Sequence, residues 1–309
     1  MAAIRHILVA VDRTDPSPQA LAKGMSLALS CPARLTIVHA SKSAADESHR
    51  QRLQARLSDL VGTEGAALVG LRLVVLAGDP ARSIHDYARA NDVDLIVVGR
   101  HPHGALHRLL FESVGEVVLR DAACSVLAVV ERQRPSLARR PHAPRILCAV
   151  GFGGSSGATL AQAGELARRT RSPLAVLHVI EGWNWPEVRP DRGNDLGGGV
   201  PTLGGAMMRD ATERLAALVC AHVPPEVEVQ TLVSFGVPGL EIARLAGDVD
   251  ASLVVVGAHS RRRLGHTFLG STAHYLLAEP PCSILLARPP LGGAGCLSLA
   301  SEKELAVTE

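Results

Sequence analysis

Short apolar runs alternate with longer amphipathic stretches along this chain, and that alternation predicts consecutive β-α units building a parallel sheet. In the first half the apolar runs fall near residues 5–12, 34–40, 71–77, 94–99 and 124–130; in the second half they fall near 145–151, 173–180, 227–233, 252–257 and 282–288. Between them, stretches such as Pro18 to Ser30 and Ala158 to Thr170 place apolar residues three and four apart, the spacing of a helix with one buried face. Right-handed crossovers would set these helices on both faces of the sheet.

The two halves repeat one another. His6-Ile7-Leu8-Val9-Ala10-Val11 matches Arg145-Ile146-Leu147-Cys148-Ala149-Val150, and His39 matches His178, at a common offset of 139 residues. Gly78-Asp79-Pro80 matches Gly236-Val237-Pro238, Leu95 to Gly99 matches Leu253 to Gly257, Ser113 matches Ser271 and Cys124 matches Cys282, all at an offset of 158. The change of offset locates an insertion between the second and third strands of the second copy, in the Gly/Pro-rich stretch from Gly182 to Gly205. Both tryptophans, Trp183 and Trp185, lie in that insertion, where they either close over a site or pack against their own domain. Glu131 to Pro144 reads as a linker, and the Pro/Gly/Ser-rich residues after 289 read as a mobile tail.

At 309 residues the length suits two domains, and a hydrophobic content of 47% with only 3% aromatics leaves Val, Leu, Ile and Ala to fill two cores. A formal net charge of +2, spread without long blocks, leaves no electrostatic footprint for nucleic acid. No apolar stretch approaches the roughly 20 residues of a membrane span, and Met1 to His6 lacks the parts of a signal peptide. The cysteines Cys31, Cys124, Cys148, Cys220, Cys282 and Cys296 form neither a C-x-x-C pair nor a zinc-like spacing. The expectation is a cytoplasmic protein with idle thiols, no nucleic-acid partner and no membrane.

In an open parallel sheet, ligands collect outside the carboxyl ends of the strands where the strand order reverses, so the loops after the first and fourth strands are the candidates. After the fourth strand the second copy reads Gly257-Ala258-His259-Ser260-Arg261-Arg262-Arg263, and Gly270-Ser271-Thr272 then opens a helix. Glycine lets backbone approach a ligand, and a helix start offers N–H donors and a positive dipole end to phosphate. The alternative is that Gly257 ends a strand and Ser271 caps a helix. Arg261 and its neighbours either clamp phosphate or form a solvated basic turn. His101, His103 and His107 in the first copy, with His259 and His266 in the second, are either surface histidines or metal ligands. Gly151 to Gly157 imitates a dinucleotide fingerprint with imperfect spacing, and no P-loop sequence occurs anywhere. No nucleophile and base pair stands out, so the chain does not read as an enzyme.

After the fourth strand the sequence resembles the universal stress protein family, whose ATP-binding members carry G-x2-G-x9-G-[S/T] at this point. Gly257, Ser260, Gly270 and Ser271 match that spacing with serine replacing the second glycine, whereas the first copy reads Gly99, Pro102, Glu112 and Ser113. The first copy keeps Asp12, which resembles the acidic residue near the nucleoside in ATP-binding relatives; the second has Gly151 there. The resemblance implies two Rossmann-like domains of the adenine nucleotide alpha hydrolase type, residues 1–133 and 144–290, followed by a tail at 291–309. Each would be a five-stranded parallel sheet of order 3-2-1-4-5 with helices on both faces, the two pairing through their fifth strands as an intramolecular pseudo-dimer, with a homodimer of whole chains also open. It further implies stress-response function through ATP bound in the second domain by Gly257, Ser260, Arg261, Gly270, Ser271 and Thr272, with Asp12 as the acid retained by the first. A nucleotide-free interaction module and a metal or small-ligand store at the histidine loops remain the alternatives.

Overall fold

The computed structural model describes residues 4–11, 18–41, 51, 55, 70–100, 114–130, 145–181, 203–258 and 269–288. The first half contains strands β1 (His6–Ala10), β2 (Arg34–Ser41), β3 (Arg72–Ala77), β4 (Leu95–Arg100) and β5 (Ser125–Val130), with helices α1 (Pro18–Ser30), α2 (Pro80–Ala90) and α3 (Val114–Asp121). The second contains β6 (Arg145–Ala149), β7 (Leu174–Ile180), β8 (Val229–Phe235), β9 (Ala251–Gly257) and β10 (Ser283–Ala287), with α4 (Ser156–Thr170), α5 (Leu203–His222), α6 (Pro238–Asp248) and α7 (Ser271–Ala278). All ten strands join one sheet in the order β3-β2-β1-β4-β5-β10-β9-β6-β7-β8. Each half is therefore a parallel 3-2-1-4-5 sheet, and the two meet where β5 runs antiparallel to β10.

Strand alternation sorts the apolar side chains onto the two faces. Ile7 and Val9 of β1 face one core with Leu21 and Met25 of α1, and Leu160 and Leu166 of α4 belong to that same layer. Leu8 faces the other core with Ile84 of α2, Leu119 of α3, Ile242 of α6 and Leu276 of α7. The layers cross the junction without a break, because Leu127 of β5 and Leu285 of β10 are register partners on the first face. Gly24 fits α1 tightly to the sheet: a β-carbon there would lie 2.3 Å from Val9 Cγ2.

The repeat landmarks are structural devices used twice. Gly78 and Gly236 turn the chain after β3 and β8 with φ of 121° and 143°, a region glycine enters without steric cost. Pro80 and Pro238 then open α2 and α6, positions where a missing N–H costs nothing. Asp79 caps α2 by accepting the Arg82 N–H at 3.1 Å, whereas Val237 gives α6 no side-chain cap. His39 and His178, near the ends of β2 and β7, each bond through Nδ1 to the carbonyl just beyond the neighbouring first strand, at Val11 (3.1 Å) and Val150 (2.9 Å). A carbonyl only accepts, so Nδ1 carries the proton in both.

Polar contacts secure the junction. The Arg288 N–H donates to Ser125 Oγ at 3.0 Å, the Val130 N–H donates to Ser283 Oγ at 3.3 Å, and the Ser125 hydroxyl meets the Gln162 amide of α4 at 3.0 Å. Arg288 also reaches across to the first half, where its guanidinium donates to the carbonyls of Leu119 (2.6 Å), Arg120 (3.1 Å) and Cys124 (3.3 Å). A helix from one domain is thus finished by a cation from the other. Among the described residues Cys31, Cys124, Cys148 and Cys282 are buried free thiols and Cys220 is exposed. Burial pushes Cys124 up to about 11 and Cys148 to about 12, which keeps both as weakly reactive thiols.

Replacing Arg288 by Met keeps most of the side-chain bulk and strands three carbonyls. Urea unfolding should register a loss of about 1–3 kcal/mol, and an unchanged midpoint would show that the interdomain cap contributes nothing. A second expectation concerns Glu165, whose carboxylate accepts from Arg168 (2.6 Å and 2.8 Å) and Arg169 (2.7 Å). These bonds hold its carboxyl at about 2, below the ordinary 4.5. A depressed carboxyl stabilises the fold above its unfolded value and loses that contribution as pH falls through its folded value. Between pH 4.5 and 2 the wild type should therefore lose stability faster than Glu165→Gln, with no divergence in slope above pH 6.

Candidate functional site

The strand order reverses in the second half between β6 and β9, the place at which an open parallel sheet collects its ligands. On the β9 side the strand ends at Gly257, the register partner of Ala287 in β10, and the Ala258 N–H donates to the Ala287 carbonyl at 2.9 Å. The chain returns at Leu269 and enters α7. Gly270 is the N-cap residue, with φ −61° and ψ 152°, and no side chain caps the helix. The alternative reading of Ser271 as the cap is not met: Ser271 is the first helical residue and is exposed.

The first internal bond of α7 runs from the His274 N–H to the Gly270 carbonyl at 2.9 Å. The N–H groups of Ser271, Thr272 and Ala273 therefore have no acceptor within the helix. The Ser271 and Thr272 hydroxyls belong to the same first turn, and a helix start of this kind offers several donors and a positive dipole end to an anion. Gly257 closes β9, and Gly270, Ser271 and Thr272 lie at the opening of α7, the next described helix. Ser260, Arg261 and Asp12 lie outside the described residues, as do His101, His103, His107, His259, His266, Trp183 and Trp185. Among the described residues no group of three or more His, Cys, Asp or Glu is placed to hold a metal ion, and no helix is long and apolar enough to cross a membrane.

A size exchange holds α7 in place. A β-carbon on Gly239 of α6 would lie 2.7 Å from the ring of Tyr275, so glycine makes room for an aromatic on the helix that carries the donors. The equivalent positions in the first half are Ala81, larger than glycine, and Val117, smaller than tyrosine, both in the same core layer. After β6, the Phe152 ring meets His178 with centroids 4.0 Å apart and planes tilted by 34°, and the Arg214 guanidinium of α5 lies 4.0 Å from the Phe152 centroid. Neither arrangement was read from the sequence; the glycine-rich run beginning at Gly151 was the only local signal for the second.

The strand order and the helices on both faces define a tandem of Rossmann-like α/β domains. A sequence model of the universal stress protein family matches residues 3–130 and again 143–288, and the chain belongs to that family. A universal stress protein of Mycobacterium tuberculosis is 29% identical over 203 residues, a match covering 64% of this chain and 63% of that protein, so the chain spans under two thirds of that relative's length. One from Thermus aquaticus is 33% identical over 136 residues, 40% of this chain and 98% of the relative. Among solved structures, a universal stress protein from Pseudomonas aeruginosa superposes with a TM-score of 0.68 at 20% identity, covering 93% of this chain and 94% of its own, which is a likeness of fold.

Substituting Gly239 by Val should force Tyr275 outward and tilt α7. The expected outcomes are a loss of about 1–3 kcal/mol in urea unfolding, the usual cost of overpacking, and altered amide shifts for Ser271 to Ala273 by NMR; unchanged shifts would mean that this contact does not position the helix.

Proposed function

We propose that this protein binds an adenine nucleotide, ATP, in its second domain (residues 144–290) as a non-enzymatic, cytoplasmic part of a stress response. The observation that carries this reading is the opening of α7: Gly270 at the N-cap without a side-chain cap, and three N–H groups without helical acceptors. Gly257, Gly270 and Ser271 keep the spacing of the family's ATP loop. Phosphates would take the N–H groups of Ser271, Thr272 and Ala273 with the two hydroxyls, and Ser260 and Arg261 would complete the phosphate contacts from the intervening loop. The first domain (residues 1–133) acts as the structural half. Pro102 offers no N–H and Glu112 brings a carboxylate to the equivalent positions, so its retained Asp12 lacks a phosphate cradle to serve.

Isothermal titration of the full chain with ATP should give saturable heat, and Gly270→Glu should weaken binding at least about 100-fold through like-charge repulsion of several kcal/mol. The backbone at Gly270 lies in ordinary extended space, which both this variant and a Gly270→Ala control can adopt, and circular dichroism checks that each keeps the fold. Equal heats from wild type and Gly270→Glu would end the reading and favour the nucleotide-free interaction module.

A further inference from the structure

At the end of the sheet from which β1, β4 and β5 start, a cavity of about 500 Å³ opens between the first half and α4 of the second. Four arginines from both halves line it. Arg5 stands just ahead of β1 and Arg89 in the last turn of α2, while Arg169 belongs to α4 and Arg288 follows β10. The fold does not call for these cations. At the repeat offset of 139 residues Arg5 corresponds to Pro144 and Arg169 to Ser30, and at the offset of 158 Arg89 corresponds to Gly247 and Arg288 to Val130. The other copy therefore builds the same elements with no cation at any of the four positions.

The carboxylates in the same lining leave much of this charge without a partner. Glu165 spends both its oxygens on Arg168 and Arg169. Asp94 turns one oxygen to the backbone, accepting the Arg5 N–H at 2.8 Å and the His6 N–H at 3.0 Å. Asp92 is the third, so the lining holds four arginines against three carboxylates. Among the arginines, Arg288 is committed to the carbonyls of Leu119, Arg120 and Cys124. Arg169 bonds only through Nε, at 2.7 Å to Glu165, which leaves its two terminal nitrogens without an acceptor among the described residues. The guanidinium groups of Arg5 and Arg89 form no hydrogen bond or ion pair among the described residues.

A guanidinium presents its N–H donors in a planar fork that matches a carboxylate or a phosphoryl group two bonds at a time. A cavity of this size is also in the range that holds a small molecule, roughly 300–1,000 Å³. We propose that this interdomain cavity binds a small organic polyanion, one carrying two or more carboxylate or phosphoryl groups, through Arg5, Arg89 and Arg169. Because the three cations come from both halves, the bound anion fastens the strand starts of the first domain to α4 of the second. The site shares no residue with the α7 opening and does not depend on the ATP reading.

The full-length, 15N-labelled protein titrated at constant ionic strength with citrate, and separately with pyrophosphate, tests this. Saturable amide shifts at Asp92, Val93, Asp94 and Ser125 are expected in the wild type and equally in Gly270→Glu, where the α7 opening is blocked. The double variant Arg5→Gln/Arg89→Gln should raise the midpoint of those shifts about tenfold or more, through the loss of two charge-assisted forks. Both residues are exposed, and it is the Arg5 backbone rather than its side chain that bonds Asp94, so the double variant should retain the wild-type circular dichroism. The tighter of the two probes assigns the group: citrate points to a polycarboxylic acid, pyrophosphate to a phosphorylated compound. The proposal is overturned if neither probe gives saturable shifts at 92–94 and 125, or if the midpoint is unchanged in the double variant. Shifts confined to 271–273 would overturn it while leaving the ATP reading standing, and that reading fails separately, on resonances at 271–273 that stay silent when ATP is added.

Discussion

The antiparallel pairing of β5 with β10 is the constraint from which the rest of the molecule follows. Each half alone would leave its fifth strand as an unpaired edge, and such an edge is a template for association with another chain. Here each fifth strand satisfies the other, Leu127 and Leu285 carry one helix-covered core across the junction, and the pairs Ala128–Ile284 and Val126–Leu286 carry the other. Two covalently joined halves present these strands to each other at high effective concentration. Because the strands are parallel within each half and antiparallel at the junction, the two sets of carboxyl-end loops open at opposite ends of the sheet. The chain leaves β1 through Val11 at the end of the sheet opposite to Gly257. An acid held after β1 is therefore not available to replace the one missing at Gly151, and each half must build its site from its own loops.

That geometry gives meaning to the way the two copies have diverged. The first retains the better helix cap after its third strand, Asp79 on the Arg82 N–H, where the second has Val237. The second retains glycines at Gly257 and Gly270, where the first keeps Gly99 but has Glu112 in place of the second of these. Arg288 ends the second domain and finishes α3 of the first, so the half richer in anion donors is fastened to the half with the better-capped secondary structure. Four of the described thiols are buried, and at Cys31, Cys124 and Cys148 desolvation disfavours the thiolate.

Much of the fold was legible because its signals are local. The apolar runs located all ten strands to within about two residues, with the largest drift at the edge strand β8, read as 227–233 and found at Val229–Phe235. An edge strand has exposed positions on both faces, which blurs its ends. Gly78 and Gly236, and His39 and His178, were visible as repeats before their roles in turning the chain and bonding the first-strand carbonyl were known. The Gly257 and Gly270 spacing was equally readable, since a loop that presents backbone donors depends on glycine at set positions. Contacts between distant elements were not legible. The exchange of Gly239 and Tyr275 for Ala81 and Val117, the reach of Arg288, and the meeting of Phe152 with His178 and Arg214 depend on helix placement that no short-range pattern encodes.

The most direct test of the account is mass spectrometry of small molecules released when freshly purified, full-length protein is denatured. The account predicts an adenine nucleotide in stoichiometric or near-stoichiometric amount from the wild type and its loss when the α7 opening is blocked by a carboxylate. Wild-type protein that releases no nucleotide even after equilibration with ATP, or a blocked variant that releases as much as the wild type, would contradict it.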